Sequence, residues 1–341
     1  MPEPTALPVT RVVSGIQPTG SLHLGNLLGA ILRWERMQQE APCLFFLADL
    51  HSLSDHIPAD TRRAQVRSMA AALIASGIDP DRSILFAQSD IPAHAELCWI
   101  LNGTARMGWL SRMTQWKDKS GKNKEGASVA LFDYPVLQAA DILLYRASHV
   151  PVGEDQKQHI ELTRDIAIKF NQDTGTDTFV LPEPFIGGGT AARVMSLRDG
   201  SAKMSKSDPS DMSRVNLNDS DEDIAAKIRK ARTDPDPLPG DPKLLDGRPE
   251  ARNLVGIMAA VTGESEATVL ARFEGQGFGA FKPALADALV SLIAPIRARY
   301  AELEGDSAAL DRLLDQGAEK ARAVAEPILL DIKRAVGLSR R

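Results

Sequence analysis

Lys203-Met204-Ser205-Lys206-Ser207 concentrates two ammonium groups, two hydroxyls and one apolar side chain in five residues. Asp199-Gly200 precedes it and Asp208-Pro209 follows, both turn signals, so the segment reads as a cationic loop. Point charges and hydroxyls of this kind hold phosphate oxygens. Near the other end of the chain, Ser14-Gly15-Ile16-Gln17-Pro18-Thr19-Gly20 breaks a β-type run at Arg11-Val12-Val13. Apolar residues then recur at helical spacing, Leu24, Leu27, Leu28, Ile31 and Leu32. His23 and Asn26 stand at i and i+3 at the start of that helix, where unpaired N–H groups and the macrodipole attract an anion. Gly25 presents no side chain to an approaching nucleotide. Taken singly, each segment has a plainer reading, a helix cap in one case and a solvated charge run in the other. Together they describe one phosphate apparatus split across the chain.

Asp141 is the third chemical signal. It interrupts the apolar helical run from Tyr134 to Tyr145, and the sequence offers it no cation within a turn on the same face; Arg146 points elsewhere. A lone buried carboxylate accepts hydrogen bonds and donates none, so it complements a donor-only group such as an indole N–H.

The elements that must position these groups alternate. Strands are expected at Arg11-Val12-Val13, Cys43 to Ala48, Ser83 to Ala87 and His149 to Val152, with later candidates at Phe179-Val180-Leu181 and Arg193 to Leu197. Helices are expected at about 61–75, 93–103 with a continuation through Trp116, 134–145 and 156–170. Lys117 to Gly126, with four lysines, reads as an exposed loop. Strand–helix alternation with a continuous apolar strand predicts an α/β, Rossmann-like, doubly wound parallel sheet. After about Arg214 strand signals fade. Helices are expected at 221–232, 250–261, 264–273, 280–303 and 307–335, with a Pro-, Asp- and Gly-rich loop at 233–249. The expected division is a catalytic domain over 1–214, with a helical insertion at about 92–146 and the lysine loop at 199–209. A helical region over 215–341 follows, its last helix free to pack back on the first domain.

Bulk properties narrow the class. The chain has 341 residues, 43% apolar and 25% charged, with a formal net charge of −5. Contacts to nucleic acid must then come from local basic patches. Cys43 and Cys98 are far apart and form no metal-binding pair, which fits a reducing compartment. No signal-type leader and no apolar run of membrane-spanning length is read, so a cytoplasmic protein is expected, with no membrane and no DNA partner.

The pairing of His23-Leu24-Gly25-Asn26 with Lys203 to Ser207 resembles the class I aminoacyl-tRNA synthetases. The first looks like their HIGH-type motif with Asn in the last place, and the second matches their KMSKS motif letter for letter. Ser14 to Gly20, Asp133 to Tyr145 and Val150 to His159 are similar to the bacterial tryptophanyl-tRNA synthetase family, and the likeness runs from about residue 11 to the end of the chain. The resemblance implies a homodimer with a Rossmann catalytic domain and a helical anticodon-binding region. It implies ATP as co-substrate, Mg²⁺ on the phosphates, and L-tryptophan and its tRNA, tRNA(Trp), as partners; no metal-ligating residues are expected. His23, Asn26, Lys203 and Lys206 carry over as catalytic residues. Gln17, Pro18, Thr19, Gly25, Asn26, Gly153, Glu154, Asp155, Val194, Lys203, Met204, Ser205, Lys206 and Ser207 carry over as ATP contacts. Asp141 would take the indole nitrogen, and Tyr134 and Gln156 the amino group. Val13, His51, Gln115, Gln138, Val150 and Val152 would line the pocket. Gln138 departs from the Met of many relatives, and Gly187-Gly188-Gly189 also departs from the family pattern. Candidate basic contacts to tRNA are Lys117 to Lys124, Lys333-Arg334 and Arg340-Arg341. A tyrosine-activating sister enzyme, a non-catalytic tRNA-binding paralogue and a cofactor-making nucleotidyltransferase remain open as alternatives.

Overall fold

A computed structural model describes residues 11–120, 125–151, 153, 156–185 and 193–340. Glu154, Asp155 and Val152 of the expected site, the run Gly187-Gly188-Gly189 and the lysines at 122 and 124 lie outside the described residues. Five strands, β1 (Val12–Ile16), β2 (Cys43–Leu47), β3 (Ile84–Ala87), β4 (His149–Pro151) and β5 (Glu183–Phe185), form one sheet in the order β3-β2-β1-β4-β5. Every pairing is parallel. The chain therefore builds outward from β1 to β3, then crosses back to add β4 and β5 on the other side. That reversal leaves a crevice at the carboxyl ends of β1 and β4.

All five residues of β2 are buried because both faces of the sheet are covered. Alternation sorts the side chains into two cores. Val12, Phe45, Leu47 and Leu85 face one, with α1 (Leu24–Asn26), α2 (Leu32–Glu40) and α3 (Ala59–Ala75). There Trp34 stacks on Phe45, ring centroids 5.0 Å apart and nearly parallel. Val13, Leu44, Phe46 and Phe86 face the other core. It is filled by α4 (Ala93–Asn102), α7 (Val129–Leu143) and α8 (Lys157–Thr174), with the short helices α5 (Met107–Leu110) and α6 (Thr114–Ser120) beside them. Between α1 and α2 the backbone widens into a π-helical stretch, Leu27–Ile31.

Five expectations change. β1 does not break at Ser14: Ser14, Gly15 and Ile16 continue it, paired with Phe45, Phe46 and Leu47 of β2. Phe179-Val180-Leu181 is not a strand: Phe179 packs on Phe170 with centroids 4.6 Å apart, and the strand forms at Glu183–Phe185. Pro184 is tolerated there because β5 is an edge strand. Residues 193–197 do not join the sheet; Met195 makes an isolated antiparallel bridge with Lys203. Lys117 lies in a helix, α6, and not in an open loop. Finally, α12 (Phe278–Glu304) is long and apolar enough to cross a membrane by length and composition, contrary to the sequence reading. Its apolar residues Phe281, Leu285, Leu289 and Ile293 are fully buried in the first core, so one face of it packs into the fold.

After residue 214 the chain is helical: α9 (Asp221–Lys230), α10 (Pro249–Thr262), α11 (Glu266–Phe273), α12 and α13 (Ser307–Ala335). Ser220 and Ser265 cap α9 and α11 by accepting backbone N–H bonds. The last helix, α13, lies against β3 so closely that a Cβ on Gly317 would sit 1.7 Å from the Leu85 carbonyl oxygen.

Candidate active site

The turn after β1 and the lysine loop meet. His23 is the N-cap of α1: its Nδ1 accepts from Gly25 N–H at 3.1 Å, and Asn26 Oδ1 accepts from His23 N–H at 3.2 Å. With Nδ1 used as acceptor, the ring proton sits on Nε2 and the Asn26 amide nitrogen keeps its hydrogens. Burial, then the charges of Lys206, Arg214 and Lys203, push the His23 pKa down to about 4, so it is a neutral donor at pH 7. Gly25 is needed for the His23 ring itself, since a Cβ would lie 3.0 Å from Nδ1 and Cε1 and 3.6 Å from Met204 Cβ.

Met204 is buried beneath this turn and joins the first core. It pins the loop while Lys203 stays exposed and Lys206 is half-buried. Lys206 donates to the Thr19 carbonyl. The carbonyl is a neutral partner, so burial destabilises the ammonium and its pKa falls to about 8. The flanking acids do not neutralise the loop: Asp199 accepts Ser201 N–H at 2.9 Å and Asp208 accepts Ser210 N–H at 2.8 Å. Ser205 and Ser207 hydroxyls contact each other at 2.8 Å. The buried Lys227 bridges Asp211 and Asp219, each at 2.6 Å, and so fixes the chain just beyond the loop.

Beside this cationic corner a cleft of about 450 Å³ opens between the ends of β1 and β4. Val13, Gln17, His51, Gln115, Tyr134, Gln138, Asp141, Val150 and Gln156 all line it. Gly15 leaves room for the Phe46 ring, which a Cβ would meet at 2.5 Å. Tyr134 Oη donates to Gln115 Oε1 at 2.5 Å and faces His159 Nε2 at 3.0 Å. Burial raises its pKa to about 12, so the phenol keeps its proton. Gln138 Nε2 donates to Gln156 Oε1 at 3.4 Å, linking two liners across the cleft. Thr19 and Gly153 contribute backbone: Thr19 N–H to Gln17 O, 2.9 Å, and Gln156 N–H to Gly153 O, 3.0 Å. Val194 O accepts Met204 N–H at 3.1 Å, and Pro18 is buried in the turn.

Asp141 is only 1% exposed, but it is not the lone acid the sequence suggests. Gln88 Nε2 and His94 Nδ1 donate to Oδ1 at 2.6 and 2.7 Å, and His51 Nε2 donates to Oδ2 at 2.8 Å. Burial by itself would raise its pKa; the hydrogen bonds and charge of His51 and His94 outweigh that and hold it at about 2. A carboxylate oxygen accepts two bonds comfortably, so Oδ1 is satisfied and Oδ2 retains one acceptor position. Behind His94 stands Tyr145, Oη 2.8 Å from Nε2 and fully buried. Gln88, His94 and Tyr145 are absent from the sequence-derived site. The signal for them is weak but real: His94 shares a helical face with Leu97 and Leu101, and Tyr145 follows Asp141 by one turn.

A crevice at the strand ends of a doubly wound sheet, a helix N-terminus with a neutral histidine donor, and a cationic loop closing over it define a nucleotide-handling α/β enzyme site. The sequence pattern of the tRNA synthetases class I (W and Y) matches residues 7–294, and the chain belongs to that family. It is 58% identical over 328 residues to the tryptophan–tRNA ligase of Caulobacter vibrioides, covering 96% of this chain and 95% of that protein. The fold is shared with the tryptophanyl-tRNA synthetase of Campylobacter jejuni solved with ADP and tryptophan, at TM-score 0.81 and 35% identity, covering 96% of this chain and all of that one. The enzyme from Mycoplasma pneumoniae gives TM-score 0.87 at 31% identity, covering 97% and 98%.

Proposed function

We propose that this enzyme joins L-tryptophan to ATP, releasing pyrophosphate, and passes the tryptophanyl group to the 3′ end of tRNA(Trp). The single observation that carries the substrate is the Asp141 carboxylate at the cleft, with one acceptor position left on Oδ2. An indole N–H fills it; a phenylalanine ring leaves a buried acceptor unmatched at a cost of about 1–3 kcal/mol. Tyrosine activation is the closest rival, since a phenol also donates, but the tryptophan-named relatives favour the bicyclic ring.

Adenylation then needs no base, because the amino-acid carboxylate is already ionised at pH 7. It attacks the α-phosphorus, and pyrophosphate departs in line. His23 Nε2–H and the Asn26 amide donate to phosphate oxygens at the α1 N-terminus. Gln17, Pro18, Thr19, Gly25, Gly153 and Val194 form the bed for ATP, with Glu154 and Asp155 as further contacts. Lys206 leaves the Thr19 carbonyl for the leaving phosphates, joined by Lys203 and the hydroxyls of Ser205 and Ser207. That exchange strengthens as charge develops, which is what accelerates the step. Magnesium would enter on the triphosphate, as among the described residues no group of three His, Cys, Asp or Glu is assembled to hold it. Tyr134 and Gln156 receive the amino group of tryptophan, with Gln115, Gln138, His51, Val13, Val150 and Val152 around the ring.

A second copy of the chain is assigned to the face of the helical insertion. Trp99 and Leu53 there are 79% and 56% exposed and line one largely apolar cavity, the kind of patch that marks an association surface. We assign residues 1–214 to the catalytic domain and 215–341 to reading the tRNA anticodon, in a cytoplasmic setting that suits the buried, unpaired Cys43 and Cys98. Of the basic tail, Lys333 is already engaged by Glu96 at 2.7 Å.

Tryptophan-dependent exchange of labelled pyrophosphate into ATP tests the reading. Lys206→Ala should lower the exchange rate at least tenfold with tryptophan affinity within twofold of wild type. Asp141→Ala should cut the preference for tryptophan over phenylalanine by tenfold or more. Exchange supported equally by tyrosine would overturn the substrate.

A further inference from the structure

The lysine loop is reached through a two-stranded arm, residues 193–204, and α10 grips that arm. Within the arm, Met204 N–H bonds Val194 O at 3.1 Å and Ser196 N–H bonds Ala202 O at 2.8 Å. Asn253 of α10, itself buried, spends its whole amide on the arm. Its Oδ1 accepts Met195 N–H at 2.8 Å, and its Nδ2 donates to Met195 O at 3.0 Å and to Ser196 O at 3.4 Å. Reading both polar groups of one peptide residue, the side chain stands in for a neighbouring strand. Its helical neighbours Leu254, Val255, Ile257 and Met258 are buried apolar residues, and a mid-helix Asn has no propensity reason to be there.

The tip of the arm meets the same helix. A Cβ on Gly200 would lie 2.5 Å from Pro249 C and Glu250 N, so the two backbones touch with no side chain between them. Two more bonds run from the arm to the residues before α10: Arg232 N–H to Leu197 O, 2.8 Å, and Arg198 Nη1 to Lys230 O, 3.0 Å. The far end of the loop reaches the other body, Lys206 on the Thr19 carbonyl and Met204 beneath Gly25. The loop is thus strung between α10 and the turn after β1.

We propose that Asn253 is a positioning residue for amino-acid activation: by fixing the Met195 peptide it sets where Lys203 and Lys206 stand relative to His23. The inference rests on the adenylation reading above. It makes α10, a helix that does not line the Asp141 cleft, the support on which the transition-state contacts depend.

The test measures pyrophosphate exchange, tryptophan affinity without ATP, and unfolding for Asn253→Ala and Gly200→Ala in the full chain. A loop misplaced by about 1 Å costs up to about 100-fold in rate, so both variants should lose about 10- to 100-fold in exchange kcat. Tryptophan Kd should stay within twofold. Because Asn253 acts through both lysines, adding Asn253→Ala to a variant carrying Lys203→Ala and Lys206→Ala together should slow exchange by no more than twofold further. Asn253→Gln keeps both amide groups on a stem one methylene longer; it should fall between wild type and Ala, and it replaces Ala if that variant does not fold. An exchange rate at wild-type level in Asn253→Ala, or losses that multiply with those of the variant lacking both lysines, would overturn the proposal. If Lys206→Ala itself leaves exchange untouched, the adenylation reading fails instead.

Discussion

Lys206 is the residue whose chemistry is most exposed to pH. Burial against a neutral carbonyl disfavours its charge and brings its pKa to about 8. The folded, ligand-free protein therefore holds this proton less firmly than the unfolded chain does. As pH rises through 8 the free enzyme loses the cation that the phosphates need, and kcat/KM for ATP should fall, since that ratio reports free-enzyme ionisations. Bound phosphates favour the ammonium, so the corresponding fall in kcat should begin at higher pH. Lys206→Arg keeps its charge throughout this range. Its rate will be lower overall, but its kcat/KM profile should stay flat from pH 7 to 9.5; an unchanged descending limb would assign the ionisation to another group. The sequence made Lys206 legible because five adjacent residues carry the whole signal. Asp141 was legible as an acid in an apolar helix, whereas its three donors come from residues 51, 88 and 94, separated in the chain and brought together only by the sheet. Spacing along one helix cannot announce such a meeting.

At the scale of elements, α13 packs directly on the backbone of β3. Gly317 lies against the Leu85 carbonyl with no space for a methyl group, and the obstacle is backbone in a central layer, which cannot rotate aside. Gly317→Ala should destabilise the protein by about 1–3 kcal/mol or more, the usual range for overpacking, despite the better helix propensity of Ala. Urea unfolding would check this; a neutral or stabilised variant would mean that α13 can lift from β3 freely. Seated there, α13 covers the β3 edge of the sheet, which would otherwise present unpaired backbone groups. Four strands were readable from their apolar runs, since burial on both faces leaves a continuous hydrophobic segment such as Cys43 to Leu47. The fifth was not. Glu183-Pro184-Phe185 has neither alternation nor β-branched residues, and its strand state comes from pairing with β4. The reverse holds for Phe179, whose apolar character serves a ring contact with Phe170.

At the scale of the molecule, the cleft for the amino acid and the uncovered apolar face share walls. A second cavity of about 270 Å³ on that face is lined by Leu50, Leu53, Trp99 and Leu137, and also by His51 and Tyr134, which line the Asp141 cleft as well. Trp99 projects from α4, the helix that supplies His94 to Asp141. Covering this face with a second copy would therefore stiffen the side chains to which the proposed function gives the amino acid. Trp99→Glu should yield a monomer in sedimentation velocity, because a carboxylate at the centre of an apolar contact would be buried without a partner. The monomer should also activate tryptophan less well, chiefly through a higher KM for the amino acid, with the KM for ATP little changed because the lysine loop lies away from α4. A variant that sediments as the wild type does would remove this face from the assembly. A clean monomer with an unaltered tryptophan KM would separate assembly from the pocket.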